Sequence, residues 1–302
     1  MPEPTKNIPS APPSVNSNII SDAYRDAITI SYRYVDSVSA DTSFNFHGRK
    51  FAAPIMAGPI GGQKQVMENG YYQYAKTLAD AGLFAWMNFH DMDGWNQILN
   101  DQTPGMRVIK PVEDLNRALQ EIKHDTEMGA LGYAMDVDFG MTLYGIFNKQ
   151  GNACAPKTKE SLQKLASASP LPFYLKGVLN VHDAVAAKEA GAAGVVLSGH
   201  NNRFPCAVPP LKVLPEIRKA VGSDFEIYID GGFTNGYDVF KALALGADGV
   251  LVARAFIGAF VKGGADGLKE KAEQMTAELK GALSNTGSTD IKHIPADSIF
   301  LP

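Results

Sequence analysis

Residues 173–199 have the sequence FYLKGVLNVHDAVAAKEAGAAGVVLSG, and residues 227–254 have the sequence IYIDGGFTNGYDVFKALALGADGVLVAR. Each segment contains an apolar strand, a glycine-containing turn, a helical pattern and a Gly-Ala-x-Gly joint before a second apolar strand. Continuous apolar runs of this kind are typical of parallel strands that are covered on both faces. This weak internal repeat is expected if each segment forms a two-strand quarter of one closed barrel.

The rest of the chain continues the same alternation of buried strands and amphipathic helices. The apolar strand patterns lie at residues 53–58, 84–89, 106–111, 132–138, 172–178, 194–199, 226–232 and 249–254. Helical patterns separate them, as in residues 112–129, where apolar residues recur at intervals of three and four. Eight strand-helix units in 302 residues predict an α/β fold, a single (β/α)8 TIM barrel.

The segment before the barrel has a different composition. The first eighteen residues are mainly Pro, Ser and Asn, which predicts a disordered or extended arm. Residues 44–51, FNFHGRKF, alternate around His47-Gly48 and predict a short hairpin. We therefore expect an N-terminal arm and hairpin at residues 1–51 and a barrel domain at residues 52–302.

Composition narrows the class of function. A formal charge of −4 gives no basic surface for nucleic acid, and no apolar stretch is long enough to cross a bilayer. Cys154 and Cys206 fit neither a disulfide framework nor a metal-ligand spacing. The N-terminus has no apolar segment typical of a secretion signal. These features predict a cytoplasmic protein with no nucleic acid or membrane partner.

Polar side chains follow the apolar runs at the expected carboxyl ends of the strands, where barrel active sites form. They are Asn88, Lys110, Asp136 or Asp138, Lys176, Ser198, His200, Asp230 and Arg254. A buried lysine needs an anion or an electron-rich ligand, so Lys176 faces a ligand or forms a salt bridge to Asp230 or Asp138. The turn Asp230-Gly231-Gly232, the helix start after it and Arg254 together predict a phosphate site.

The polar loop after residues 194–199 supplies a second set of groups. Arg203 can hold a small carboxylate through two parallel hydrogen bonds, and a neutral His200 can remove a proton from the neighbouring carbon or hydroxyl. Ser198 and Gly199 allow this loop to pass close to a planar cofactor. The alternative for Arg203 is a pairing with an acid across the mouth of the loop.

In order and spacing, these motifs resemble those of the FMN-dependent α-hydroxy acid oxidases and dehydrogenases, a family that includes glycolate oxidase, lactate oxidase and mandelate dehydrogenase. The resemblance runs from about residue 41 to the end of the sequence and is clearest at residues 172–287. It rests on the Lys-Gly strand and the Ser-x-His-x-x-Arg motif of residues 172–203, and on the strand-turn-strand sequence up to Arg254. The chain is identified as a divergent, short member.

The resemblance implies specific residue roles. Lys176 is expected beside flavin N1 and the C2 oxygen, His200 as the base, Arg203 on the substrate carboxylate, and Arg254 with Gly231 and Gly232 at the phosphate. Further FMN contacts are expected at Ala57, Gly58, Asn88, Ser198, His200, Asp230 and Ala253. The family also implies a homo-oligomer, a tetramer.

The chain departs from the family pattern at several positions. Asn201-Asn202 replaces Gly-Gly, Thr234 replaces an Arg that commonly helps to bind the phosphate, and Ala253-Arg254-Ala255 replaces Gly-Arg-Pro. Residues 139–157 lack a second substrate-binding Arg. The strand-3 Gln-x-Tyr is missing, and Lys110 is a candidate substitute that faces an anion. Candidates for the tyrosine that covers the flavin are Tyr24, Tyr32 and Tyr34.

The favoured hypothesis is an FMN-dependent enzyme that oxidises a small 2-hydroxy acid to the 2-oxo acid, passing a hydride equivalent to flavin N5, with an unknown electron acceptor. Three alternatives stay open at this point. One is a lyase or aldolase in which Lys176 forms a Schiff base. Another is a metal-dependent hydrolase with His90, His200, Asp138 and Asp230 as ligands, although the usual His-x-His motif is absent. The third is a flavin-binding protein that has lost its substrate chemistry.

Overall fold

The eight predicted strands close into a parallel barrel in a computed structural model that describes residues 15–88, 91–148 and 153–302. The strands are β1 (Thr29–Ile30), β2 (Phe44–Phe46), β3 (Arg49–Phe51), β4 (Ile55–Ala57), β5 (Phe84–Met87), β6 (Gly105–Ile109), β7 (Tyr133–Asp136), β8 (Phe173–Val178), β9 (Gly194–Leu197), β10 (Glu226–Asp230), β11 (Gly249–Val252) and β12 (Ile299–Phe300). Strands β4 to β11 follow one another around the barrel, and β11 closes it by pairing with β4.

One helix precedes the barrel, and the others follow its strands and pack around them. They are α1 (Ser17–Ala27), α2 (Gln63–Val66), α3 (Gly70–Asp80), α4 (Met92–Asn100), α5 (Leu115–Glu127), α6 (Lys159–Ala166), α7 (Val181–Glu189), α8 (Pro210–Val221), α9 (Gly236–Ala244) and α10 (Arg254–Ser284). Side chains of Asp91, Asp114, Thr158, Asn180 and Asn235 cap the N-termini of α4, α5, α6, α7 and α9. These caps explain where the helices begin.

The predicted hairpin closes the N-terminal end of the barrel. Strands β2 and β3 pair antiparallel, with His47 and Gly48 in the turn at positive φ. Phe44 and Phe46 are buried against the aromatic interior of the barrel, which includes Trp86 and Tyr174. A packed interior of this kind leaves the carboxyl ends of the strands as the face that is open to a ligand.

Several boundaries differ from those predicted. Strand β7 ends at Asp136, and residues Val137–Gly140 form a 3-10 turn, so Asp138 lies in a loop. Strand β11 ends at Val252, and Arg254 begins α10 instead of ending the strand. Pairing with the neighbouring strands stops at Asp136 and Val252, before the predicted strand ends.

The N-terminal segment contains a helix that was not predicted. Residues 1–14 of the expected arm lie outside the described residues, whereas Ser17 and Asn18, its last residues, belong to α1. Strand β1 then pairs with β12 near the end of the chain. In the described part of the chain, no helix combines the length and the apolar character needed to cross a membrane.

Candidate active site

A cavity of about 500 Å³ lies at the carboxyl ends of the barrel strands. Its volume is within the range of small-molecule and cofactor sites. Of the residues predicted for the site, those that line it are Lys176, His200, Asp230, Gly231, Gly232, Ala253 and Arg254. The predicted residues outside the lining are Ala57, Gly58, Asn88, Lys110, Ser198 and Arg203. The cavity is therefore lined by seven of the residues predicted for the site, and six others lie outside its lining.

Residues behind the wall support those that line the cavity. Ser198 Oγ donates a hydrogen bond to Asp230 Oδ2 (2.9 Å). Asn88 Nδ2 donates to the carbonyl of Ile60 (2.6 Å), which itself lines the cavity. A side chain at Gly58 would place its Cβ 3.3 Å from Cβ of Ala253, so glycine permits a close approach there.

A buried ion-pair chain forms the floor of the site. Lys176, which is 2% exposed, places Nζ 3.2 Å from Asp136 Oδ1 and 3.7 Å from Asp230 Oδ2. Lys110 Nζ donates to the other Asp136 oxygen at 2.6 Å. The alternative salt bridge from Lys176 to Asp230 is therefore present, and Asp136 is the nearer partner.

The ion pairs determine the charge states of these buried groups. Burial alone raises the pKa of the Asp136 carboxyl, but the positive charges of Lys176, His200 and Lys110 outweigh burial and hold that pKa well below its ordinary value. Burial lowers the pKa of the Lys176 ammonium, but the charges of Asp136 and Asp230 outweigh it and raise that pKa. Both groups are therefore ionised near neutral pH.

His200 forms a pair with Asp138. Nδ1 of the imidazole lies 2.8 Å from Asp138 Oδ2 and 3.1 Å from Oδ1, whereas Asp136 Oδ1 is 3.9 Å away. Within the described residues, His200 Nε2 has no hydrogen-bond partner. A carboxylate that accepts the Nδ1 proton leaves Nε2 as the basic nitrogen of a neutral imidazole.

Gly177 makes room for that pair. Its φ is +96°, and an added Cβ would lie 2.4 Å from Asp138 Cγ. Only glycine both adopts this conformation readily and leaves the volume that the Asp138 carboxylate occupies. The Lys-Gly motif of β8 thus serves the site twice, through the ammonium of Lys176 and through the missing side chain of Gly177.

Arg203 and Lys110 both face the ring of Phe139. Arg203 donates from Nε to the carbonyl of Asp138 (2.8 Å) and from Nη2 to the carbonyl of Met141 (2.6 Å). Its guanidinium carbon lies 4.2 Å from the ring centroid of Phe139, and Lys110 Nζ lies 4.1 Å from it. Arg203 therefore pairs with loop carbonyls, and no acid among residues 15–88, 91–148 and 153–302 pairs with it.

The phosphate end of the predicted site is organised by a helix other than the one expected. At the start of α9, the amides of Thr234, Gly236 and Asp238 already donate to side chains of Asp238, Glu278 and Asn235. Helix α10 has no side-chain cap among the described residues, so its first N–H groups lack the usual capping partner there. The expectation of free amides at α9 was wrong for these three residues, and α10 offers them instead.

Arg254 complements this helix start. It lines the cavity, and its exposed guanidinium has no hydrogen bond or ion pair to any described residue. Gly231 and Gly232 across from it have φ of +127° and +79°. A cation, free helix N–H groups and a glycine turn are the donor set that binds phosphate.

Sequence reasoning missed the contribution of α1. Asn18, Asp22 and Arg25 line the cavity, and Arg25 Nη1 donates to the Gly232 carbonyl (2.6 Å). The spacing of four and three residues, which puts all three on one helix face, was the available sequence indication. The candidate tyrosines Tyr24, Tyr32 and Tyr34 lie outside the lining.

Asp136, Asp138 and His200 also have ligand atoms within 4.8 Å of one another, a spacing compatible with a metal ion. Two ammonium groups already face Asp136, and they would repel a divalent cation at that carboxylate. His90, a ligand in the hydrolase hypothesis, lies outside the described residues.

Comparison with known proteins identifies relatives over most of the chain. A family model described as FMN-dependent dehydrogenase matches residues 20–145 and 143–300. The chain is 28% identical to 4-hydroxymandelate oxidase of Amycolatopsis orientalis, over 85% of this chain and 82% of the relative. It is 30% identical to L-lactate oxidase of Lacticaseibacillus rhamnosus (strain LMS2-1), over 86% of this chain and 80% of the relative.

Solved structures agree with these sequence matches. The crystal structure of mandelate oxidase with (S)-2-phenylpropionate superposes with a TM-score of 0.84 at 26% identity, covering 94% of this chain and 90% of the other. A mandelate oxidase variant with a monooxide FMN adduct superposes with the same TM-score of 0.84 at 26% identity, covering 94% of this chain and 92% of the other.

Proposed function

Since this chain belongs to the FMN-dependent dehydrogenase family and is an FMN-dependent oxidoreductase, we propose that it oxidises a small 2-hydroxy acid to the 2-oxo acid. The observation that carries the proposal is the His200–Asp138 pair at the edge of the cavity that Lys176 lines. A base that is oriented by a carboxylate beside a cofactor-sized cavity suits removal of a hydroxyl proton.

The residues present fit FMN. The volume of the cavity suits a cofactor, and Arg254 with the start of α10, neither of which is paired or capped by a described side chain, supplies donors for a phosphate. Lys176 supplies a buried positive charge for the electron-rich edge of the ring system. When bound, FMN supplies the acceptor for the two electrons that leave the substrate.

In this proposal, His200 takes the hydroxyl proton at Nε2. The Asp138 carboxylate accepts a hydrogen bond from Nδ1–H and stabilises the imidazolium that forms, as in other carboxylate-histidine pairs. Arg203 and Lys110, whose charged groups lie 4.2 Å and 4.1 Å from the ring centroid of Phe139, are the partners we propose for the substrate carboxylate. In the described residues, Nη1 of Arg203 makes no hydrogen bond, so donors remain available for that carboxylate.

The ion pairs of Lys176 argue against a Schiff-base enzyme. Nucleophilic attack needs a neutral amine, and the raised pKa of Lys176 keeps its Nζ protonated near neutral pH.

The proposal also includes a cytoplasmic location and, by resemblance to the family, a homo-oligomer that is a tetramer. It leaves the final electron acceptor unassigned. Sedimentation of the purified protein tests the tetramer.

A panel of hydroxy acids tests the substrate class. We expect at least one of glycolate, lactate and mandelate to bleach the flavin absorbance when it is mixed anaerobically with the FMN-loaded protein. Dithionite serves as the control, because it reduces the bound flavin without using the substrate site. Bleaching by dithionite and by none of a wide range of 2-hydroxy acids would favour a flavin-binding protein without this substrate chemistry.

Replacing Arg254 with Ala tests the phosphate site. The contact between a guanidinium and a phosphate is worth about 1.5–3 kcal/mol, so we expect FMN to bind about ten- to a hundredfold more weakly. Titration of the apoprotein with FMN measures the change. Arg49→Ala, an exposed substitution in the hairpin at the other end of the barrel, should leave the affinity unaltered. Equal affinities for both variants would place the phosphate elsewhere.

A further inference from the structure

Helix α1 forms one wall of the cofactor cavity. Asn18, Asp22 and Arg25 point from a single face of the helix into the lining, on the side where His200 and Gly232 also lie. A Cβ at Gly232 would come within 2.4 Å of Asp22 Oδ1 and 2.6 Å of Arg25 Nη1. The helix is thus packed directly against the glycine turn of the site.

The N-terminal end of α1 is attached to the loop that carries His200. Asn202 Oδ1 accepts hydrogen bonds from the backbone N–H of Ser17 (2.7 Å) and from its hydroxyl (3.0 Å). Ser17 is the first helical residue, whose N–H has no partner inside the helix, so Asn202 acts as a cap from another part of the chain. Asn18 Nδ2 adds a more exposed bond to Asn201 Oδ1 (3.0 Å).

The backbone of that loop depends on this attachment. His200, Asn201 and Asn202 have φ of +46°, +53° and +64°, three consecutive left-handed residues. Asparagine tolerates this region better than most residues, whereas a run that includes histidine needs support from its surroundings. The bonds to Ser17 and Asn18 contribute to that support, together with the bond from the His200 N–H to Ser198 Oγ (3.1 Å).

The C-terminal end of α1 is attached to the opposite side of the cavity. Arg25 is 7% exposed and donates to the Gly232 carbonyl at 2.6 Å. Its guanidinium also meets Asp22 at 2.7 Å and Asp238 at 3.4 Å. Lys241 Nζ donates to the Arg25 carbonyl at 2.9 Å. Helix α1 therefore connects the loop of the proposed base with the turn at the phosphate end.

We propose that α1 is a strap that retains FMN, with Ser17, Asn202 and Arg25 as positioning residues. Because α1 forms one wall of the cavity and is fixed at both ends, FMN is expected to leave faster when one attachment is lost. The same attachments hold His200 in the conformation that pairs with Asp138. The proposal rests on FMN occupying this cavity and is independent of which substrate is oxidised.

The rate of FMN release tests the strap. The FMN-loaded protein is diluted, and the recovery of free FMN fluorescence is followed over time. Asn202→Gly removes the acceptor of two hydrogen bonds while keeping a backbone that tolerates positive φ, so we expect release about 5- to 150-fold faster. Asn202→Asp keeps the acceptor at the helix N-terminus and should restore release to nearly the wild-type rate.

Asn201→Gly is the matched control. It makes the same backbone change at the neighbouring residue but removes only the exposed bond to Asn18, so release should accelerate by no more than about threefold. Equal acceleration in the two glycine variants would assign the effect to loop flexibility and overturn the strap. Wild-type release from Asn202→Gly would overturn it as well.

The outcome is separable from the substrate proposal. Faster release from Asn202→Gly, together with a flavin that no hydroxy acid bleaches, would support the strap and refute the substrate class. Normal bleaching by a hydroxy acid, together with a wild-type rate of FMN release from Asn202→Gly, would support the substrate class and refute the strap.

Discussion

His200→Ala is expected to slow substrate-dependent flavin reduction by about 10²–10⁴-fold, the usual contribution of a positioned base. The affinity for FMN should stay nearly the same, because in the proposed arrangement the imidazole touches the substrate and not the phosphate. Anaerobic stopped-flow measurement of flavin bleaching gives the rate, and titration of the apoprotein gives the affinity. The slowing should persist at saturating substrate, since the missing group acts in the chemical step.

Two further variants make this result specific. His182→Ala removes a histidine that is 90% exposed on α7 and should leave the reduction rate unchanged. Arg203→Ala should mainly raise the substrate concentration needed, through loss of the partner of the carboxylate, with some slowing from misalignment. A wild-type reduction rate in His200→Ala would show that another group removes the proton.

Most of the barrel could be predicted because its strands leave a strong local pattern. Each of the eight strands is an apolar run covered on both faces, and glycines and capping residues mark the joints between strands and helices. The hairpin was predictable for the same reason, since His47-Gly48 interrupts a short alternating pattern. Strand ends were less predictable, because the backbone turns at Val137 while the apolar pattern continues.

The site was predictable in location and less so in its pairings. The C-terminal strand ends converge in any such barrel, which brought Lys176, His200 and Arg254 together. Whether Asp136 or Asp138 serves His200 depends on the 3-10 turn after β7, which the sequence did not predict. The contact of Arg25 with Gly232 spans 207 positions of the chain, so no local pattern could predict it.

Lys176 lies at the buried floor of the site, so its replacement is expected to have a large effect on folding stability. Lys176→Met should lower the free energy of unfolding of the apoprotein by about 3 kcal/mol, because a buried ion pair loses one partner and leaves Asp136 and Asp230 less compensated. The loss stays at the low end of the usual range since Lys110 still pairs with Asp136. Urea denaturation at pH 7 measures it. Lys123→Met, an exposed lysine paired with Glu127 at 3.8 Å on α5, should change stability by less than about 0.5 kcal/mol.

The pH dependence of this loss distinguishes an ion pair from simple packing. The lowered pKa of Asp136 in the folded protein contributes stability that is fully present above the unfolded value of about 3.9 and is lost as the pH falls from there towards the folded pKa. Without Lys176 the folded pKa rises towards its ordinary value, so less of that stability remains to be lost. The difference between wild type and Lys176→Met should therefore be constant from pH 7 to about pH 5 and shrink towards pH 3. A difference that stays the same at pH 3 would mean that the loss does not come from the interaction of the Lys176 charge with the Asp136 carboxylate.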